Sequence, residues 1–176
     1  MLSVRSIAYA DVVFQFNLNG SVADSNGGPS LVSHGGTIGP TGYYFGQNAG
    51  LSLSGTGAFD VYSIDIKFSF DSLTASTDGY QRILDFKNRT LDEGLYSLGG
   101  RVVYFVGCCS GLGGTGGSSV GSVLAPGQLA DLLVTRSALG ILSVSVNGSL
   151  AFEFSDSTGL AMRVGSAATS AAFAST

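Results

Sequence analysis

Apolar and polar residues alternate one by one along most of this chain, and the three-to-four spacing of an amphipathic helix is almost nowhere present. Val12, Phe14, Phe16 and Leu18 point one way, while Gln15 and Asn17 point the other. The pattern is cleanest from Val61 to Phe70, where Tyr62, Ile64, Ile66, Phe68 and Phe70 share a face opposite Ser63, Asp65, Lys67 and Ser69. Successive side chains of a strand emerge on opposite faces, so the alternation predicts strands with one face buried and one solvated, as in antiparallel sheets. Shorter strands are predicted at Tyr43–Phe45, Leu51–Ser54, Arg82–Lys87, Leu95–Leu98, Arg101–Val106 and Leu129–Arg136, each bounded by Gly, Asp, Asn or Pro. Ile141–Val146 and Ser149–Ser155 flank Asn147-Gly148, a pair suited to a type I′ turn because both central residues need positive φ. The resulting hairpin is expected to set Leu142, Val144 and Val146 facing Leu150, Phe152 and Phe154. A second tight reversal is expected at Gly99-Gly100. About ten short strands with regular turns imply an all-β, antiparallel sandwich or barrel.

Composition agrees with this reading. The 176 residues suffice for one domain with a sizeable core. Hydrophobic residues make up 44% and charged residues only 11%, the reverse of what a disordered chain needs. The 27 glycines suit strands joined by many turns. With a net charge of −4 and eight scattered Lys and Arg, the chain lacks the basic cluster that tracks phosphates, so no nucleic-acid partner is expected, nor a polybasic membrane patch. No apolar stretch approaches the roughly 18 residues that span a bilayer. Within residues 1–10, Ala8-Tyr9-Ala10 has the small-x-small pattern of a signal-peptidase site, although the preceding apolar run is short; the segment reads either as a signal-peptide remnant or as an ordinary polar N-terminus. Cys108 and Cys109 are adjacent and cannot staple distant segments; they read as two incidental thiols in a loop.

Few residues carry recognisable chemistry. The single histidine, His34, sits beside Gly35 and Gly36, and no Gly-x-Ser-x-Gly elbow exists, so nucleophilic catalysis is not expected. Residues 111–116 satisfy Gly-x-Gly-x-x-Gly, but a dinucleotide site needs a helix to start there and Ser118–Gln128 has no helical pattern; a flexible loop is expected. Calcium takes about six to eight hard oxygen ligands. Two loops offer such groups: Asp24 and Asn26 in one, Asp85, Asn88 and Asp92 in the other. Asp and Asn are also ordinary turn formers, and neither loop has EF-hand spacing. Tyr43, Tyr44, Tyr80 and Tyr104 are candidates for an aromatic platform under a sugar, in a chain without Trp. Sequons at Asn19, Asn88 and Asn147 carry meaning only in a eukaryotic secretory pathway.

The succession of segments resembles the laminin-G-like, concanavalin A-like jelly-roll domains of bacterial exported and cell-surface proteins. Residues 16–36 resemble the opening strand and its Asp-Ser-x-Gly turn, and 42–55 the paired strands that follow. Residues 62–74 are similar to the long central strand, 79–105 to the next meander, and 125–156 to the terminal hairpin. The likeness covers about residues 12–160, within a domain taken as 11–160. Residues 161–176, rich in Ala and Ser, carry no equivalent of the closing strand such domains normally have. The reading therefore expects either a missing C-terminal strand or a diverged, irregular tail, with an exposed sheet edge.

The resemblance implies a non-catalytic, secreted or cell-surface recognition or adhesion module. It would bind a glycan or an extracellular protein, with calcium as a cofactor at the loop ends in some relatives. A structural spacer or assembly domain is the alternative. Jelly-roll glucanases, the remote alternative, carry Glu-x-Asp-x-x-Glu on one strand, whereas Glu93 and Glu153 are the only glutamates here and neither begins that pattern. No enzyme activity is expected.

Overall fold

The computed structural model describes residues 14–54, 60–73, 80–86, 93–106, 114–156 and 159. Among them there is no helix. Strand β1 (Val32–Ser33) pairs with β4 (Leu51–Ser52), and β2 (Thr37–Ile38) with β3 (Tyr43–Tyr44), as two small ribbons. The remaining strands are β5 (Tyr62–Phe68), β6 (Tyr80–Asp85), β7 (Gly94–Leu98), β8 (Arg101–Val106), β9 (Gly114–Ser118), β10 (Ala130–Arg136), β11 (Ile141–Val146) and β12 (Ser149–Ser155). They make two four-stranded sheets, ordered β12-β11-β10-β5 and β6-β7-β8-β9, with every pairing antiparallel.

The alternation read from the sequence decides which residues fill the space between the sheets. Leu132, Val134, Leu142 and Val144 from the first sheet meet Leu95, Val102 and Tyr104 from the second in one continuous core. Each fully buried Val or Leu contributes about 1.5–3 kcal/mol relative to an exposed one. The intervening residues of β5 and β10, including Asp65, Lys67, Asp131 and Leu133, stand on the solvent face. There Lys67 bridges Asp131 and, at 3.8 Å, Asp65. One end of the core carries a buried ion pair: Arg136 Nε donates to Asp156 Oδ2 at 3.0 Å and Nη1 to the Asp60 carbonyl at 2.6 Å. Those bonds tie the residues flanking β5 and β12 to the end of β10.

The β11–β12 hairpin turns on Asn147 and Gly148 with φ of 51° and 76°, the signature of the expected type I′ turn. Asn147 also accepts from the Asp131 N–H through Oδ1, at 2.9 Å, and donates its own N–H to the Asp131 carbonyl at 2.7 Å. Beyond the turn the expected facing fails for one residue. Val144 pairs with Phe152 but Ser145 pairs with Leu150, leaving Ala151 unopposed in a bulge. Leu150 is thereby thrown to the solvent face, 60% exposed, while Phe152 and Phe154 stay inward.

Two further expectations are corrected. Residues 14–18 keep their alternating burial yet form no ladder among the described residues, because the Gln15 N–H and carbonyl are taken by Asp24 Oδ1 and the Ser25 N–H. The glycine-rich stretch read as a loop contributes β9, an edge of the second sheet, from Gly114 onward. Its glycines permit close approach of the first sheet: a Cβ at Gly116 would lie 2.7 Å from the Phe154 ring, and one at Gly117 would run into Phe152. Strand ends otherwise shift by a residue or two, with Tyr80 and Gln81 added to β6 and Tyr43–Phe45 shortened to Tyr43–Tyr44. The segments 1–10 and 161–176, the pair Cys108 and Cys109, and residues 111–113 lie outside the described residues.

Neighbouring leucines on β10 provide a direct check. Leu132→Ala is expected to cost about 2–5 kcal/mol in chemical denaturation, whereas Leu133→Ala, on the solvent side, stays within about 0.5 kcal/mol. Similar losses at both positions would contradict the assignment of faces.

Candidate functional site

Strand β6 starts as a regular strand, with Tyr80 and Arg82 on the outer face of the second sheet and Gln81 and Ile83 turned inward. Continued alternation would send Asp85 into the core. Instead the register slips: Arg82 pairs with Tyr96 and Leu84 with Leu95, so that Ile83 is an unopposed residue. Both Ile83 and Leu84 enter the core, and Asp85, opposite Gly94, returns to the face that carries Tyr80 and Arg82. A bulge re-aims whatever follows it in just this way.

On that outer face the three β6 residues meet Tyr96 from β7 and Phe105 from β8. Tyr96 is the hub. Its hydroxyl donates to Asp85 Oδ2 at 3.2 Å, its ring lies 5.5 Å below the Arg82 guanidinium carbon, and its ring edge meets Phe105 at 5.3 Å between centroids. Arg82 Nε lies 3.4 Å from the same Asp85 oxygen. Asp85 is fully buried, and a buried carboxylate persists only when paired and hydrogen-bonded, which Arg82 and Tyr96 provide. Over this base leans Tyr80, edge-on to Phe105 at 5.0 Å and to Tyr96 at 6.3 Å, with 44% of its surface open to solvent. The outcome is a rigid aromatic shelf with an exposed phenol ring, backed by a guanidinium–carboxylate pair.

Of the aromatic candidates, the shelf takes in Tyr80 alone. Tyr43 and Tyr44 lie on the β2–β3 ribbon. The Tyr43 hydroxyl donates to the Gly35 carbonyl at 2.8 Å and touches Ser33 Oγ, so it closes its own loop. Tyr44 is exposed and its hydroxyl bonds Thr41 Oγ1 at 2.8 Å. Tyr104 is corrected outright: it is buried at the centre of the sandwich against Phe154 and Phe86, with no face left for a ligand. Burial, then the neighbouring Tyr62, Glu93 and Asp156 side chains, pushes its hydroxyl well above the usual phenol range.

Two of the calcium candidates, Asp24 and Asp85, are engaged by the protein itself. Asp24 is buried, with Oδ1 accepting from the N–H groups of Gln15 (2.7 Å) and Asn26 (3.1 Å) and Oδ2 from that of Gly28 (2.9 Å). The Gln15 N–H foremost, then those of Asn26 and Gly28, hold its carboxyl below the usual 3.8. Asn26 is exposed on the same turn. Asp85 serves the shelf, and Asn88 and Asp92 lie outside the described residues. Among the described residues no three His, Cys, Asp or Glu side chains converge as metal ligands would.

The groups weighed for catalysis lie apart. Glu93 is buried beside the core, while Glu153 stands on the solvent face of the first sheet near Ser143 Oγ at 3.5 Å. His34 Nε2 meets Ser52 Oγ at 2.7 Å across the β1–β4 ribbon, and among the described residues no carboxylate bonds to its ring.

Arg82, Tyr96 and Phe105 are the shelf residues that sequence reasoning missed. Their alternation with core residues was visible, yet only the bulge brings Asp85 to them, and no residue type in Tyr80–Asp85 announces it. Compared with family models, with characterised proteins and with solved structures, the chain and its fold match none.

Two outcomes test these local roles. Tyr96→Phe removes a donor from the Asp85 carboxylate and is expected to cost about 1–3 kcal/mol in denaturant unfolding. A carboxyl with a lowered folded-state pKa adds stability that is complete above its unfolded value and fades as the pH falls through the lower folded value. Asp24→Asn is therefore expected to melt below the wild type at pH 7, with the gap closing as the pH drops beneath 3.8. A gap constant with pH would count against the Asp24 network.

Proposed function

We propose that this chain is a non-catalytic recognition module of laminin-G-like type, exported or displayed at a cell surface, that binds a glycan on the outer face of its second sheet. The observation that carries this reading is Tyr80: a half-exposed ring packed at steep angles against two aromatic neighbours. An aromatic face fixed on a strand offers a flat apolar seat for the C–H face of a sugar, with little side-chain entropy left to lose on binding. Sites carried by rigid strands also hold their geometry better than sites on loops. The separation of Glu93 from Glu153 supports the non-catalytic part, since glycoside hydrolysis needs two carboxylates flanking one bond. The reading requires no calcium, because the Asp24 and Asp85 carboxylates already have protein partners.

Glycan-array screening of the whole chain, with calcium and with chelator, is the test. Binding that survives chelation and weakens about tenfold in Tyr80→Ala, a loss of about 1.4 kcal/mol, is expected. An array without hits, or binding indifferent to Tyr80, would overturn the proposal. So would glycan hydrolysis abolished by substituting Glu93 or Glu153.

A further inference from the structure

The chain holds three Asn-Gly pairs: Asn19-Gly20, Asn26-Gly27 and Asn147-Gly148. Such a pair carries its own reaction. The glycine nitrogen, once it has lost its proton, can add to the side-chain amide before it, because no Cβ on the glycine stands in the way. All three asparagines are exposed, so access to solvent does not separate them. The hydrogen bonds of the glycine N–H groups do.

The Gly20 N–H donates to the Gly39 carbonyl at 2.8 Å, which ties that nitrogen to the turn between β2 and β3. The Gly27 N–H donates to the Asp24 carbonyl at 3.2 Å, and the Asp24 carboxylate takes the N–H groups on either side of it, those of Asn26 and Gly28. A carboxylate held ionised there opposes loss of a proton from the Gly27 amide. The Gly148 N–H differs from both, since among the described residues it meets no acceptor. Residues 147–150 are exposed, and the place a Gly148 Cβ would take has no atom within 4 Å. The hairpin tip therefore has room for the Asn147–Gly148 peptide to swing toward the side chain.

The electrophile is prepared as well. Asn147 Oδ1 accepts from the Asp131 N–H at 2.9 Å, and the Asn147 N–H donates to the Asp131 carbonyl at 2.7 Å. A donor on the amide oxygen draws electrons from Cγ and steadies the negative charge that collects on Oδ1 as a nucleophile adds.

We propose that Asn147 is a self-modification site, the amide that the fold selects for deamidation. The Gly148 nitrogen gives its proton to solvent and bonds to Asn147 Cγ. The Cγ–Nδ2 bond breaks, and its nitrogen leaves as ammonia, taking up the proton that Gly148 released. Water then adds to either carbonyl of the five-membered imide and opens it to aspartate or isoaspartate. Water is the one co-reactant, and the aromatic shelf takes no part. Each product places a new carboxylate beside Asp131. Isoaspartate also lengthens the backbone by a methylene, in a turn whose two-residue count sets the pairing of β11 with β12.

Incubating the whole native chain in mildly alkaline buffer, with peptide mapping by mass spectrometry, tests the assignment. Amide loss is expected about tenfold faster at Asn147 than at Asn19 or Asn26, the rate equivalent of breaking one hydrogen bond first. In denaturant the three rates are expected to converge. Asn147→Gln, whose longer side chain must close a six-membered ring, is expected to bring ammonia release from the folded chain down to the level of the other two pairs. The isoaspartyl form is expected to melt below Asn147→Asp, which carries the same charge on an unaltered backbone, and equal melting would overturn the effect on strand pairing. Amide loss at Asn19 or Asn26 that matches Asn147 in the native chain overturns the selection by the fold. So does a native chain that keeps the Asn147 amide while the denatured chain loses it.

Discussion

Each sheet has to present one face to its partner and the other to water, and the rest of the structure follows from how that two-sided demand is met. The interior is closed by Leu132, Val134, Leu142 and Val144 against Leu95, Val102 and Tyr104, residues that recur at every second position of their strands. Non-directional apolar burial supplies the driving force, while the ladders satisfy the backbone groups that burial would strand without partners. Where strict alternation would waste a residue, the chain inserts a bulge, after Arg82 in β6 and at Ala151 in β12. Where side chains would hold the sheets apart, it uses glycine, as Gly116 and Gly117 do beneath Phe152 and Phe154.

The few charges are placed with similar economy. Arg136 and Asp156 close one end of the core, Arg82 and Asp85 support an aromatic hub, and Lys67 holds two aspartates together on the solvent face. Taking an ion pair out of water costs more than it returns unless its geometry and remaining hydrogen bonds are good. The second Arg136 bond to the Asp60 carbonyl, and the Tyr96 hydroxyl on Asp85, are the additions that make those two pairs tenable.

Period-two alternation made the all-β class, the central strand, the terminal hairpin and its Asn147-Gly148 turn legible in the sequence, because each rests on local chemistry. Three features were hidden for a common reason. The β9 edge contains glycines whose value lies in rings of the opposite sheet, Leu150 is turned out by a bulge, and Gln15 is diverted from a ladder by Asp24 nine residues away. The candidate site was half legible. Tyr80 and Asp85 were singled out for different chemistries, one as a sugar platform and one as a calcium ligand, and they belong to one cluster. Tyr104, chosen for the same aromatic character as Tyr80, proved to be interior, since a tyrosine on an alternating strand reads the same whichever face it occupies.

The unopposed Ile83 makes the arrangement depend on a count. Surface segments generally tolerate gain or loss of a residue, and a strand shortened by one inside β6 could still pair fully with β7 in a regular ladder. The faces beyond a lost Ile83 would be kept, Leu84 inward opposite Leu95 and Asp85 outward opposite Gly94. The six residues forced into a regular ladder would instead carry Asp85 into the hydrocarbon interior, away from Arg82 and Tyr96. Ile83 is thus the residue that β6 can lose with the shelf still in place, at the cost of one side chain from the core, while the bulge that holds it is what β6 cannot lose at its present length.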